Sequence, residues 1–203
     1  MQPVINIQTD NRPAYQNETT ETIPPIQLIS AWLDESLSAM PHLPFRLSLW
    51  NDQGAHHSMN LSDINTKGPV VYSADINMPD DKTEWQLQIP LPATHSEIDM
   101  RANIIPISEP QCDLYFHKLE REFQLVTWIK IENKNRNIIN IDEELKKMDD
   151  QFTGRKVPRP DLYKGYQLLP TEFCFRRFHA HDIITEHHYV AGNNRWMYHQ
   201  VTR

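Results

Sequence analysis

Short strand-like runs separated by turn signals constrain this chain most. Residues 45–50 alternate strictly, and the turn signal Asn51-Asp52-Gln53-Gly54 follows them. Residues 57–64 form a second run that ends at Asn65-Thr66-Lys67-Gly68, and residues 69–74 form a third. Runs and turns in this order predict a β-meander, which is typical of a barrel or a sandwich.

Further strands and three helical segments complete the predicted fold. Pro24 and Pro25 open a helix whose apolar residues recur every three to four positions as far as Leu37. Helices are also predicted for 109–131 and 141–152, and strands for 85–91, 98–107, 166–175, 187–191 and 196–201. Residues 1–22 are polar with few apolar anchors, so we expect a flexible N-terminal arm. One domain, mostly β within an α+β class, is then expected over residues 23–203.

The composition excludes several classes of protein. The 203 residues carry a formal net charge of −7, which disfavours a general nucleic-acid surface. No apolar run approaches the length of a membrane span, and no basic segment followed by an apolar core marks a signal peptide. Cys112 and Cys174 lack the C-x-x-C spacing of a zinc site, and they favour a reducing cytoplasm.

A cluster of Arg and His residues around position 180 is the strongest candidate for chemistry. Arg177, His179 and His181 are two positions apart, so they share one face if the preceding strand continues through them. A guanidinium beside two imidazoles suits a phosphate, a carboxylate or a developing oxyanion. A solvated polar strand end is the simpler interpretation of the spacing alone.

The same stretch raises a metal alternative, because it holds His179, His181, Asp182, Glu186, His187 and His188. The His-x-His spacing places two imidazoles on one face of a strand, where a third ligand would complete a site. However, His187 and His188 are adjacent and point to opposite faces, and a chain with 10 histidines clusters some of them by chance. No metal is therefore predicted. Neither cysteine has an obvious activating base, so nucleophilic catalysis is not expected.

Two segments resemble the pyridoxamine 5′-phosphate oxidase family. Val157-Pro158-Arg159-Pro160, Gly165-Tyr166 and Arg177-Phe178-His179 follow the family's C-terminal signature in order. Residues 108–116 match its central Ser-to-Tyr-Phe segment without a gap, and Arg121, Gln124 and Trp128 follow at the family's spacing. The resemblance covers most of the chain beyond the arm. It implies an FMN-binding split barrel that forms a homodimer, with its pocket at the subunit interface.

The resemblance also implies the site residues. Arg177 and His179 take catalytic positions, and Tyr115 and Arg121 join them in the substrate-binding set. The implied cofactor-binding set comprises Tyr72, Ser73, Lys82, Glu97, Arg176 and His181.

Acidic residues stand at several of the family's flavin positions. Asp80 and Asp81 lie in the segment whose basic residues bind the FMN phosphate in the family. One such charge reversal at about 4 Å weakens the free energy of phosphate binding by several kcal/mol. Glu97 and Asp99 replace a Gln and an Arg; such a pair can serve in acid–base chemistry, but a solvated pair is expected.

Two functions stay open at this point. The first is an enzyme that acts on a small anionic metabolite, in specialised metabolism, as an FMN-dependent oxidase if flavin is retained. The second is a flavin-less protein that catalyses a cofactor-free step or only binds a ligand or partner.

Overall fold

The computed structural model describes residues 23–40, 45–74, 83–134, 138–193 and 195–203. The predicted arm (1–22) and the loop that holds Asp80, Asp81 and Lys82 lie outside these ranges. The helices are α1 (Pro25–Ala39), α2 (Glu109–Phe116), α3 (Arg121–Glu132) and α4 (Ile141–Gln151). The strands are β1 (Arg46–Trp50), β2 (His56–Asn65), β3 (Gly68–Ser73), β4 (Trp85–Leu91), β5 (Ser96–Pro106), β6 (Lys164–Phe178), β7 (Ile184–Ala191) and β8 (Trp196–Thr202).

Six antiparallel strands close into a barrel, which is one of the two architectures that the meander left open. The sheet runs in the order β3-β2-β1-β4-β5-β6-β7-β8, and a further pairing of β3 with β6 closes the ring. Gln167 stabilises this closure, because its side-chain amide donates to the carbonyls of Gly68 and Pro69, both at 3.1 Å. The fold class predicted from the sequence, a split β-barrel with flanking helices, is confirmed.

The long strand β6 splits the barrel because it changes neighbours along its length. Its first residues pair with β3, from Val70 opposite Gln167 to Ser73 opposite Lys164. Its last residues pair with β7, from Glu172 to Phe178, while β5 follows almost its whole length on the other side. The register with β5 shifts once, between Arg101 and Ala102, and this irregularity marks the change of neighbour.

Two cores hold the fold together. The barrel interior and α1 form the larger one, in which Trp85, Phe173 and Phe175 are almost completely buried. The second core joins α2, α3 and α4 to the loop before β6, and it includes Phe116, Ile129 and Val157. Asn140 caps α4 by accepting hydrogen bonds from the backbone N–H groups of Asp142 and Glu143.

Two predictions are wrong in detail. Residues 109–131 are not one helix, because the chain turns at residues 117–120 between α2 and α3. Gln124 stabilises that turn, since its buried amide donates to the carbonyls of Phe116 (3.0 Å) and Leu119 (2.9 Å). The C-terminal strand does not continue through His181: β6 ends at Phe178, and His181 adopts a left-handed backbone with φ of 61°. Arg177, His179 and His181 therefore do not share one strand face.

Among the described residues, no helix combines the length and the apolar character that crossing a membrane requires.

Candidate functional site

Three tyrosines form one wall of a pocket beside the barrel closure. The ring of Tyr72, at the end of β3, stacks on that of Tyr115 in α2, with centroids 3.8 Å apart and an angle of 4° between the planes. The ring of Tyr163 lies 5.7 Å from that of Tyr72 and almost parallel to it. Gly165 makes this stack possible, because a Cβ there would lie 2.5 Å from Cε1 of Tyr72. We call this space the tyrosine pocket; its volume is about 470 Å³.

The tyrosine pocket is electropositive over its described lining. Arg46 from β1 and Lys130 from α3 line it, whereas no carboxylate is among the described residues that do so. Polar donors and acceptors come from Ser58, Asn60, Ser62, Ser73 and Thr127. Burial is the main cause that raises the pKa of Tyr72 to about 12, so its phenol stays protonated and can donate a hydrogen bond at neutral pH. The pocket suits a planar ring that carries an anionic group.

A second cavity, of about 240 Å³, lies on the outer face of the sheet formed by β5, β6, β7 and β8. Arg176 dominates it: its guanidinium donates to Glu97 (2.8 Å), to Glu186 (3.0 Å) and to Asp99. Glu186 is almost fully buried, and although burial opposes its ionisation, hydrogen bonds from His188, Arg203 and Arg176 lower its pKa to about 2. Asp99 differs, because burial outweighs Arg176 and raises its pKa. We call this space the outer cavity.

The paired carboxylates Glu97 and Asp99 are not solvated, which corrects the expectation from the sequence. Their side chains are only 21% and 25% exposed, and both accept hydrogen bonds from Arg176. The carboxylates surrounding Arg176 neutralise it, and the outer cavity therefore offers no free cation for a phosphate.

Comparison with known proteins fits this architecture. Pyridoxine/pyridoxamine 5′-phosphate oxidase of Psychrobacter arcticus is 25% identical over 207 residues, covering 91% of this chain and 94% of that protein. The enzyme of the same name from Bradyrhizobium diazoefficiens is 21% identical over 196 residues, with 91% and 92% covered. The chain is a distant homologue of the pyridoxine/pyridoxamine 5′-phosphate oxidases. No protein-family model matches it.

Two solved structures share the fold of this chain. PhzG of Burkholderia lata 383, in complex with tetrahydrophenazine-1-carboxylic acid, superposes with a TM-score of 0.68 at 15% identity, covering 90% of this chain and 94% of that one. A pyridoxamine 5′-phosphate oxidase-related, FMN-binding protein of Nostoc punctiforme superposes with a TM-score of 0.64 at 12% identity. This second superposition covers 89% of this chain and 98% of the Nostoc protein.

The structure divides the residues that the oxidase resemblance assigns to the site. Tyr72, Ser73 and Tyr115 line the tyrosine pocket together. Arg176 lines the outer cavity and Glu97 pairs with it, His181 is exposed in the turn after β6, and Lys82 is outside the described residues. One chain therefore does not bring the whole predicted set together.

Arg177 and His179 are separated from Tyr115 within one chain. Arg177 lies far along β6 from Gly165, which pairs with Tyr72; at about 3.3 Å per residue the path is roughly 40 Å. The Arg177 guanidinium donates to Glu35 in α1 at 2.6 Å and lies 4.8 Å above the ring of Trp32. His179 is exposed and contacts Thr185 at 3.1 Å. These contacts fix α1 and the β6–β7 turn.

Arg121, Gln124 and Trp128, which matched the oxidase spacing, have structural contacts. Arg121 pairs with Asp149 at 2.7 Å and donates to the carbonyls of Phe152 and Arg155, so it joins α3 to the end of α4. Trp128 donates to the carbonyl of Pro158 at 2.8 Å. Sequence reasoning missed Arg46 and Lys130, because strand and helix patterns do not show that the two meet at one pocket.

The Nostoc punctiforme protein of the same fold is described as FMN-binding. The tyrosine pocket fits such a group in its described lining: an aromatic wall for the ring, and Arg46, Lys130 and several hydroxyls for an anionic tail. The outer cavity does not fit a phosphate, because Arg176 is already bound by three carboxylates.

Proposed function

We propose that this protein is an oxidoreductase that binds FMN in the tyrosine pocket and acts on a small anionic ring compound. The carrying observation is the stacked pair of Tyr72 and Tyr115 beside Arg46 and Lys130, in a pocket without a described carboxylate. Homology to the pyridoxine/pyridoxamine 5′-phosphate oxidases supports the class of reaction. A flavin would supply two-electron oxidation of the substrate.

Residues of this chain would hold both the ring and the anionic tail of the bound molecule in place. Tyr115 and Tyr72 would bound one face of a ring, and Arg46 and Lys130 would neutralise an anionic tail. Tyr72, which stays protonated, would donate one hydrogen bond. The nearby cations favour a phosphate or carboxylate over a neutral compound of the same shape.

A titration of the purified, full-length protein with FMN tests the proposal. We expect the fluorescence of added FMN to change on binding, and riboflavin, which lacks the phosphate, to bind more weakly. Lys130→Ala should weaken FMN binding by roughly 10- to 100-fold, because a charge-assisted hydrogen bond contributes about 1.5–3 kcal/mol. Lys134→Ala is the matched control: it removes the same charge just after α3, from a residue that does not line the pocket.

Absence of FMN uptake at high micromolar concentration would refute the flavin assignment. Equal losses in Lys130→Ala and Lys134→Ala would instead refute the pocket assignment, since a general loss of positive charge would then explain both.

A second candidate function is a flavin-less ligand-binding protein. The observation that favours it is the neutralised Arg176, which leaves the outer cavity without a free cation for a cofactor phosphate. Pyridoxine 5′-phosphate is a suitable probe for calorimetry. Uptake of this probe by protein that takes up no FMN would favour the second function over the first.

A homodimer is part of the proposal. Leu114 in α2 is 66% exposed, and Phe123 in α3 is 61% exposed and lines the tyrosine pocket. A second copy seated on this surface would bury both side chains and close the pocket from solvent. Sedimentation of the full chain checks it: Phe123→Glu should give monomers and weaker FMN binding, whereas a monomeric wild type would refute it.

A further inference from the structure

Four side chains with metal-binding atoms form a row across the outer face of the sheet. Asp99 in β5 pairs with Cys174 in β6, Cys174 pairs with His188 in β7, and His188 pairs with His199 in β8. Residues directly opposite one another in antiparallel strands project to the same face. All four line the outer cavity. Thiolate, imidazole and carboxylate are the three ligand types that zinc uses in proteins.

The distances around His188 are those of a coordination sphere. Its Nε2 lies 3.8 Å from Sγ of Cys174 and 3.1 Å from Oε2 of Glu186, and the three ligand atoms lie within 4.8 Å of one another. Zinc bonds of about 2.0 Å to nitrogen or oxygen and about 2.3 Å to sulfur, at tetrahedral angles, separate ligand atoms by roughly 3.3–3.6 Å. Side-chain movements of about 1 Å or less would therefore bring all three ligand atoms to these separations.

We propose that Cys174, Glu186 and His188 form a binding site for a zinc-type divalent cation that opens onto the outer cavity. The cavity leaves room for a water molecule as the fourth ligand, which is the arrangement of an open site rather than a closed structural one. The stacked ring of His199, 4.6 Å from that of His188, holds the imidazole in place.

The charges around the site accommodate such a cation. Glu97, Asp99 and Glu186 carry one more negative charge than Arg176 and Arg203 balance. Binding converts the Cys174 thiol to a thiolate and releases one proton, so a divalent cation then brings the local charge to zero. Arg203 bonds both oxygens of Glu186, and because its side chain is 67% exposed it can release one of them to the cation and stay beside the other.

Cobalt(II) titration of chelator-treated, reduced, full-length protein tests the site directly. We expect a thiolate-to-cobalt charge-transfer band in the near ultraviolet and the visible bands of tetrahedral cobalt, both removed by equimolar zinc. Binding should strengthen as the pH rises, because the Cys174 thiol must lose its proton to become a ligand. Flavin binding has no part in this readout, so the test stands apart from the proposed function.

Two pairs of variants isolate the ligands. Cys174→Ser should abolish the charge-transfer band, whereas Cys112→Ser, which changes the other cysteine, should keep it. His188→Gln should weaken cobalt binding by about 100-fold or more, since even outer-shell contacts contribute 10–100-fold. His187→Gln is its matched control, because His187 faces Trp32 and Tyr198 on the opposite side of β7.

Three results would overturn the proposal. They are a wild-type protein without the charge-transfer band at millimolar cobalt, a band that survives in folded Cys174→Ser, and equal losses in His188→Gln and His187→Gln. If Cys174→Ser does not fold, protection of Cys174 from alkylation by zinc in the wild-type protein decides the matter: protection supports the site, and an unchanged alkylation rate refutes it.

Discussion

Replacing Gly165 by Ala tests how the barrel closure supports the tyrosine pocket. The new Cβ would lie 2.5 Å from Cε1 and 2.8 Å from Cδ1 of Tyr72, and 3.2 Å from Sγ of Cys112. The Tyr72 ring cannot move perpendicular to its own plane towards Tyr115, because the two rings are stacked with centroids 3.8 Å apart. Overpacking of this kind costs about 1–3 kcal/mol of unfolding free energy. We expect a loss of about 2 kcal/mol, and weaker FMN binding because the displaced ring enters the pocket.

A double-mutant cycle with Tyr72→Ala isolates that clash. Without the Tyr72 ring, the two closest contacts are gone and the 3.2 Å contact with Cys112 becomes the tightest, so Gly165→Ala should cost at least about 1 kcal/mol less in that background. Urea unfolding followed by tryptophan fluorescence measures all four proteins. Gly192→Ala is a control, because a Cβ there would meet nothing closer than the carbonyl oxygen of Arg195 at 3.3 Å. Equal costs of Gly165→Ala in both backgrounds would refute the reasoning.

Three further predictions concern residues whose contacts are structural. Arg121→Ala should destabilise the protein by about 1–2 kcal/mol, through the lost Asp149 pair and two carbonyl contacts, and leave FMN affinity unchanged in the same titration. Gln124→Leu should cost about 1–2 kcal/mol in urea unfolding, because the carbonyls of Phe116 and Leu119 lose the amide donor, although Phe116 still accepts from the Leu119 N–H. Arg177→Ala should lower the free energy of unfolding by about 1–2 kcal/mol, because it removes the ion pair with Glu35 and the contact with Trp32. Adding Glu35→Ala should lower it little further, since both substitutions remove the same ion pair. Additive losses in the double mutant would contradict that pairing.

Local patterns were sufficient to predict most of the strands. Alternation along residues 45–50 corresponds to β1, in which Leu47 and Leu49 are completely buried and their neighbours are not. The hairpin predicted around Pro92 is present, with β4 and β5 on either side of a short 3-10 turn. These elements are predictable because burial on one side of a strand imposes a period of two on the sequence.

The break between α2 and α3 could not be predicted in this way. Residues 117–120 contain neither Gly nor Pro, so local chemistry gives no stop signal there. The turn depends on Gln124, whose amide reaches back to two carbonyls, and on the packing of Phe116 in the second core. Such a turn is a tertiary effect that overrides helical propensity.

The site was harder to predict, because its residues come from distant parts of the chain. Tyr72, Tyr115 and Tyr163 belong to a strand end, a helix and a loop, and only the closure of β3 onto β6 brings them together. Arg177 illustrates the opposite case: a local motif singles it out, but its partner Glu35 lies in α1, 142 positions away. A motif shows which residue is a candidate for the site. Whether its side chain is charged and free to bind a ligand depends on the residues that the fold packs against it.

Strand register links the two cavities to the sequence. Because β6 pairs with β5 in a fixed register, Arg176 must face Glu97 and Cys174 must face Asp99. A shift of one residue would exchange the Phe175 and Arg176 environments, placing a guanidinium in the barrel core, which is prohibitively costly without a partner. The hydrophobic core therefore selects the same register that assembles the carboxylates around Arg176 and the metal-ligand row beside them. Stability of the barrel and chemistry on its outer face are consequences of one alignment of β6.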